Sequence, residues 1–141
     1  MQVVAIYAAR KTCRKARLPL MLSSARAGFP SPADDFIEKW LDLNEHLVRD
    51  KASTFIVRAK GDSMVKAGIH DGDLLVVDRA AEPTNGRVVI AIIEGNLTVK
   101  RLRRKGGKCW LDAANEKYAP IEVGDEDAMI WGVVTNSIHP L

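Results

Sequence analysis

The chain has little cysteine, little histidine and no long apolar run. Its 141 residues include two cysteines, Cys13 and Cys109, far apart and without the paired spacing of a zinc site. They read as free thiols of a reducing compartment, which excludes a disulfide-stapled secreted scaffold. No apolar stretch approaches the roughly 20 residues that cross a bilayer. Near the N-terminus the basic segment RKTCRKAR precedes LPLML and then SSARAG, an order that imitates a signal peptide. LPLML is only five residues long and contains Pro19, short of the roughly 7 to 15 of a signal core. A cytoplasmic protein with no membrane association is therefore expected. The first 27 residues also lack any acid while holding Arg10, Lys11, Arg14, Lys15, Arg17 and Arg26, a local charge of +6.

What is present describes one folded unit. An apolar content of 47 % with three tryptophans supports a buried core. The net charge of +3 conceals an acidic body, because the residues after 27 carry 15 basic and 18 acidic side chains and sum to −3. Residues 1–30 show no convincing period and contain Pro19, Ser23, Ser24, Gly28 and Pro30, so they are expected to be a flexible, extended basic arm. Either the arm is a solvated tail or it meets something acidic, whether nucleic acid, another protein or the body itself.

Residues 31–141 are expected to form the main domain. Ser31 suits a helix N-cap, Pro32 the first helical position, and Asp34 and Asp35 favour the dipole. Phe36, Ile37, Trp40, Leu41 and Leu47 recur at helical spacing and predict a helix over 32–48. Beyond it the period becomes two, predicting strands at 53–59, 73–78, 87–94, 96–103, 108–112 and 129–135. Gly95-Asn96 marks a tight hairpin between two of them. The fold class is mainly β.

Within KGDSMVKAGIHDGDLLVVD, residues 60–78, the chain interrupts this strand pattern to present Ser63. A serine hydroxyl is a weak nucleophile and needs a base. His46, His70 and His139 occupy no triad context and read as surface histidines. Lysine can substitute when burial lowers its pKa. Lys100 in NLTVKRLR shares a strand face with Thr98 and Leu102, opposite Val99, Arg101 and Arg103, whose guanidinium groups need water. That pattern turns Lys100 inward, unless its ammonium reaches back to the surface. Gly68, Asp71, Gly72 and Asp73 read as turn chemistry. Arg101, Arg103, Arg104, Lys105 and Lys108 surround Gly106-Gly107, and read as a solvated hairpin face because no aromatic residues interleave to stack bases.

GDSM, then GIHDGDLLVVD, then TVKRL with its lysine 37 residues after the serine, resemble the self-cleaving serine peptidases of the LexA and UmuD type. AGFPSPADDF, DLNEHL, YAPI and WGVVT extend the resemblance from about Gly28 to the end. It implies a LexA/signal-peptidase-like β-rich catalytic domain with an extended N-terminal arm and one short helix. It also implies Ser63 as nucleophile, Lys100 as general base, and the backbone N–H groups of Asp62 and Ser63 as oxyanion donors. The Asp62 side chain is then structural or solvent-facing. The bond cut would be Ala27–Gly28, where small residues let a scissile strand lie close to the nucleophile and tethering supplies effective concentration. No metal or other cofactor is implied.

Members of this type are homodimers that self-cleave when they meet a RecA–single-stranded DNA filament. LexA-like members carry a helix-turn-helix domain ahead of the peptidase, and about 27 residues are too few for one. The resemblance is thus to the UmuD-like branch, whose shortened product joins a UmuC-type polymerase subunit in translesion synthesis; sequence-specific DNA binding is not expected. Two alternatives remain: a non-catalytic polymerase-docking module, and a signal-peptidase-like endopeptidase, which would need a membrane anchor.

Overall fold

The structure is a computed structural model that describes residues 1–8, 17–21, 37–124 and 129–141. The chain divides into two compact units, one formed by Met1–Ala9 with Asp50–Leu141 and the other by Arg10–Arg49.

The larger unit is an antiparallel sheet. Its strands are β1 (Gln2–Ala8), β4 (Thr54–Lys60), β5 (Leu74–Asp78), β6 (Val88–Ile93), β7 (Asn96–Lys105), β8 (Lys108–Asp112), β9 (Ile121–Val123) and β10 (Met129–Ile138). They lie in the order β1-β4-β5-β10-β6-β7-β8-β9. A further pairing of Gln2 with Thr98 joins β1 to β7, so six strands run in a closed circuit. β7 is ten residues long, enough to meet β1 near its start and β8 along Arg101–Lys105. All six strands predicted from the period-two pattern form, each end within three residues of expectation.

Buried side chains sort by that period. Val57, Ala59, Leu75, Val77, Ile90, Val99 and Val134 pack with Met1, Met64 and Ile69 in one cluster. Val89, Ala91, Leu102, Cys109, Leu111 and Val133 form a second. Adjacent residues such as Val89 and Ile90, or Val133 and Val134, thus serve opposite faces. β10 runs between β5 and β6 and approaches closely at Gly132, where a Cβ would lie 2.6 Å from Val77 Cγ1.

The β6–β7 hairpin turns on Glu94 (φ 50°) and Gly95 (φ 78°), with Ile93 paired to Asn96. Two consecutive left-handed residues are the signature of a type I′ turn. The turn therefore sits one residue before the expected Gly95-Asn96 pair.

The first 50 residues depart further from expectation. Gln2–Ala8 were assigned to the arm, yet they pair antiparallel with β4 from Gln2↔Lys60 to Ala8↔Phe55. The helix predicted over 32–48 forms only at its end. Residues 32–36 lie outside the described residues, and β3 (Ile37–Asp42) pairs antiparallel with β2 (Arg17–Met21). The one α-helix described is α1 (Leu43–Leu47), which starts where Asp42 Oδ1 accepts from the Asn44 N–H at 2.9 Å. The apolar spacing of Ile37, Trp40 and Leu41 satisfies a helical template, but backbone pairing with β2 satisfies the hydrogen bonds of 37–42 as a strand. Asp42 caps α1, and Ser31 lies outside the described residues.

Candidate active site

The chain leaves β4 at Lys60 and turns at Gly61, whose φ of 114° suits glycine and whose N–H donates to Asp71 Oδ1 at 2.7 Å. This turn presents Ser63, which is only 1 % exposed. Its backbone is fixed from the loop after β8. Ala114 N–H donates to the Ser63 carbonyl at 2.8 Å, and Lys66 N–H donates to the Ala114 carbonyl at 2.9 Å. Asn115 Nδ2 donates to the Asp62 carbonyl at 2.9 Å, and the Tyr118 hydroxyl donates to Asp62 Oδ1 at 2.6 Å. The next residue, Met64, is fully buried and anchors the turn in the first core cluster. Asp62 itself faces solvent. The Tyr118 bond holds its carboxyl below the usual carboxylate range and raises the Tyr118 phenol.

Lys100 comes to this region from β7, where it pairs with Val89 of β6. It is 8 % exposed, and burial lowers its pKa from that of a free lysine by disfavouring the ammonium. Its Nζ lies 6.0 Å from the centre of the Tyr118 ring. Among the described residues no carboxylate pairs with it. The inward direction expected from the strand pattern is therefore observed. The opposite face is less open than expected, since Val99 is fully buried, Arg103 is half-buried and Arg101 is exposed.

Met1 bridges the Ser63 side chain and the backbone of β7 beside Lys100. Its carbonyl accepts from the Val99 N–H at 2.9 Å, one residue before Lys100. Its ammonium donates to Ser63 Oγ at 2.5 Å. Burial, followed by repulsion from Lys100, lowers the pKa of that ammonium, and Asp62 opposes the shift. The Ser63 hydroxyl bonds the Met1 ammonium, and the charge of the desolvated Lys100 is felt at that same ammonium, in a site largely closed to water. Such a site suits proton transfer from serine to lysine followed by attack on a carbonyl.

The residues matched by the model of the Peptidase S24-like family are 19–135, which include Asp62, Ser63, Lys100, Asn115 and Tyr118 but not Met1. The chain belongs to that family. It is one of serine peptidases, so the chain is a hydrolase by membership. Among its relatives, protein SamA of Salmonella typhimurium is 48 % identical over 121 residues, covering 86 % of this chain and 84 % of that protein. Protein MucA of Escherichia coli is 39 % identical over 142 residues, covering 98 % and 97 %. The LexA repressor of Shewanella denitrificans is 42 % identical over 106 residues, covering 75 % of this chain and 51 % of the repressor. The chain is thus a UmuD-like and LexA-like S24 protein.

Of the residues singled out from the sequence, Ser63, Asp62 and Lys100 are brought to one region. Ala27 and Gly28 lie outside the described residues, as does Cys13. Cys109 is a buried free thiol. The basic hairpin is partly engaged by its own neighbours. Arg103 forms a two-pronged pair with Asp112 at 2.7 and 3.1 Å and lies 4.3 Å from the Trp110 ring centre. Sequence reading missed Asn115, and Tyr118, whose only signal is the family-like YAPI segment, and it missed Asp73, which is fully buried rather than a mere turn residue. Among the described residues, no helix is long and apolar enough to cross a membrane.

Proposed function

We propose that this S24 protein is a self-cleaving Ser–Lys peptidase that cuts its own Ala27–Gly28 bond. Neutral Lys100 takes the Ser63 hydroxyl proton as Oγ bonds to the Ala27 carbonyl carbon. The backbone N–H groups of Asp62 and Ser63 receive the oxyanion. The Lys100 ammonium returns its proton to the Gly28 nitrogen as the peptide bond breaks, and water then releases Ala27 from Ser63. The reading rests on one observation: Ser63 Oγ and the residue preceding Lys100 both bond to Met1, and both reactive side chains are withdrawn from water. Attack requires the Ser63 lone pair that accepts the Met1 ammonium, so that contact yields before cleavage.

The UmuD-like relatives support a role in mutagenesis, and within it we propose the following setting. A RecA–single-stranded DNA filament stimulates the cut in the cytoplasm. The chain acts as a homodimer, and the product beginning at Gly28 joins a UmuC-type polymerase subunit for translesion synthesis in SOS mutagenesis. Incubating purified protein with RecA, ATP and single-stranded DNA, or alone at alkaline pH, is expected to yield a mass starting at Gly28. Ser63→Ala and Lys100→Ala should each remove it. Intact protein under every condition would replace this reading with a non-catalytic docking module.

A further inference from the structure

We propose that His70, Asp73 and His139 form a site for a divalent transition-metal ion of the zinc class. The site lies apart from the residues assigned to cleavage and ties the end of β10 to the base of β5.

Each of the three side chains offers one ligand atom, and these atoms all lie within 4.8 Å of one another. His70 and Asp73 come from the connection between β4 and β5, while His139 lies 66 residues beyond Asp73, just past β10. Their spacing in sequence gives no metal signature; only the pairing of β10 with β5 assembles them.

Asp73 forms the floor. It is fully buried, its Oδ2 accepts from the His70 backbone N–H at 2.8 Å, and its Oδ1 lies 2.6 Å from His139 Nδ1. The imidazole of His139 lies 4.4 Å from that of His70, the two rings inclined by 31°. His70 Nδ1 is buried and has no hydrogen-bond partner, alone among the buried side-chain polar atoms of the described residues. Buried nitrogen lone pairs or N–H groups are nearly always satisfied, so an orphan beside a second imidazole and a carboxylate calls for a partner.

Two imidazole nitrogens with one carboxylate oxygen form a donor set suited to zinc and its neighbours rather than to magnesium or calcium. Ligand atoms around tetrahedral zinc stand about 3.4 Å apart, given bonds near 2.1 Å. His139 is 42 % exposed, so its ring has room to adjust as an ion draws the three ligand atoms to that spacing. The same exposure leaves a coordination position open to water. The ion would replace the proton that now bridges His139 and Asp73.

Metal-stripped full-length protein should be titrated with zinc chloride by calorimetry, and with cobalt(II) while recording its visible spectrum. The expected result is one ion per chain with micromolar affinity or better, and cobalt bands without a thiolate charge-transfer transition. His139→Ala and His70→Ala should each weaken binding by about tenfold or more, whereas His46→Ala, on α1, should leave it unchanged. The exposed position of His139 makes its variant the safer test of folding. Absence of saturable binding, a thiolate spectrum, or unaltered affinity in the His139 variant would each overturn the proposal.

Discussion

Two buried charges divide the larger unit into two kinds of environment. Lys100 enters the interior without a carboxylate among the described residues, with Val89 paired across from it and the Tyr118 ring nearby. Asp73 is more deeply buried but receives the His70 N–H and the His139 ring. The first site leaves desolvation uncompensated, which keeps an amine ready to accept a proton. The second surrounds its charge with donors, which holds chain segments together. Partnership, more than depth, separates the reactive group from the structural one.

The sharpest way to break the comparison is to remove each group in turn. Replacing Ser63 by Ala or Lys100 by Met should reduce self-cleavage by about a thousandfold or more, measured as the fragment starting at Gly28. The thermal midpoint of the Lys100→Met protein should not fall, since a thioether removes the cost of burying an amine. A large loss of stability there would mean that Lys100 has a structural partner. Asp73→Ala should do the reverse, costing about 3 kcal/mol in urea unfolding because it strands the His70 N–H and His139. A wild-type urea midpoint in that variant would refute the structural role.

The pH responses should also differ. Lys100 must be neutral to act, so below its depressed pKa the cleavage rate should rise about tenfold per pH unit and level off before a free lysine would titrate. A flat rate would remove Lys100 as the base. The same burial makes the folded protein bind fewer protons at Lys100 than the unfolded chain does. Its contribution to stability is therefore least favourable below the folded pKa and improves as pH rises through the interval up to the free-lysine value. At Asp73 burial favours the neutral acid, but the His70 N–H, the His139 hydrogen bond and both imidazoles outweigh it and leave the pKa below the usual carboxylate value. Stability from Asp73 is thus complete above the unfolded carboxylate pKa and declines as pH falls through the folded one. Acid unfolding of the wild type and Asp73→Asn should diverge at neutral pH and converge at low pH.

The smallest expected effect belongs to Tyr118, within the environment of Lys100. Tyr118→Phe keeps the ring beside Lys100 but frees Asp62, and should slow cleavage by less than about tenfold with little change in stability. A loss as great as that of Ser63→Ala would assign the phenol a direct part in proton transfer.

The features read correctly from sequence are those in which one strand states its own environment. TVKRL alternates a lysine with arginines, so β7 alone indicates that Lys100 turns inward, and the six main strands announce themselves by β-branched alternation. β1 gives a weaker signal because Val4, Ile6 and Tyr7 are all substantially exposed; with little buried contrast along QVVAIYA, the run resembled an arm. β3 was hidden differently, since WLDLNEHL contains both the final strand residues and a capped helix, and a helical template spans both. The Asp73–His139 contact and the clamp of Asn115 and Tyr118 on Asp62 depend on separations of 66, 53 and 56 residues. Local periodicity carries no information over such distances.

The two-residue bend at Glu94 and Gly95 has a consequence out of proportion to its size. Side chains alternate along β7, so one extra residue in that bend could slide the strand by a single step and swing Lys100 to the opposite side. Fixing the alignment of β7 with β6 is thus also what places the amine proposed as proton acceptor inside the fold.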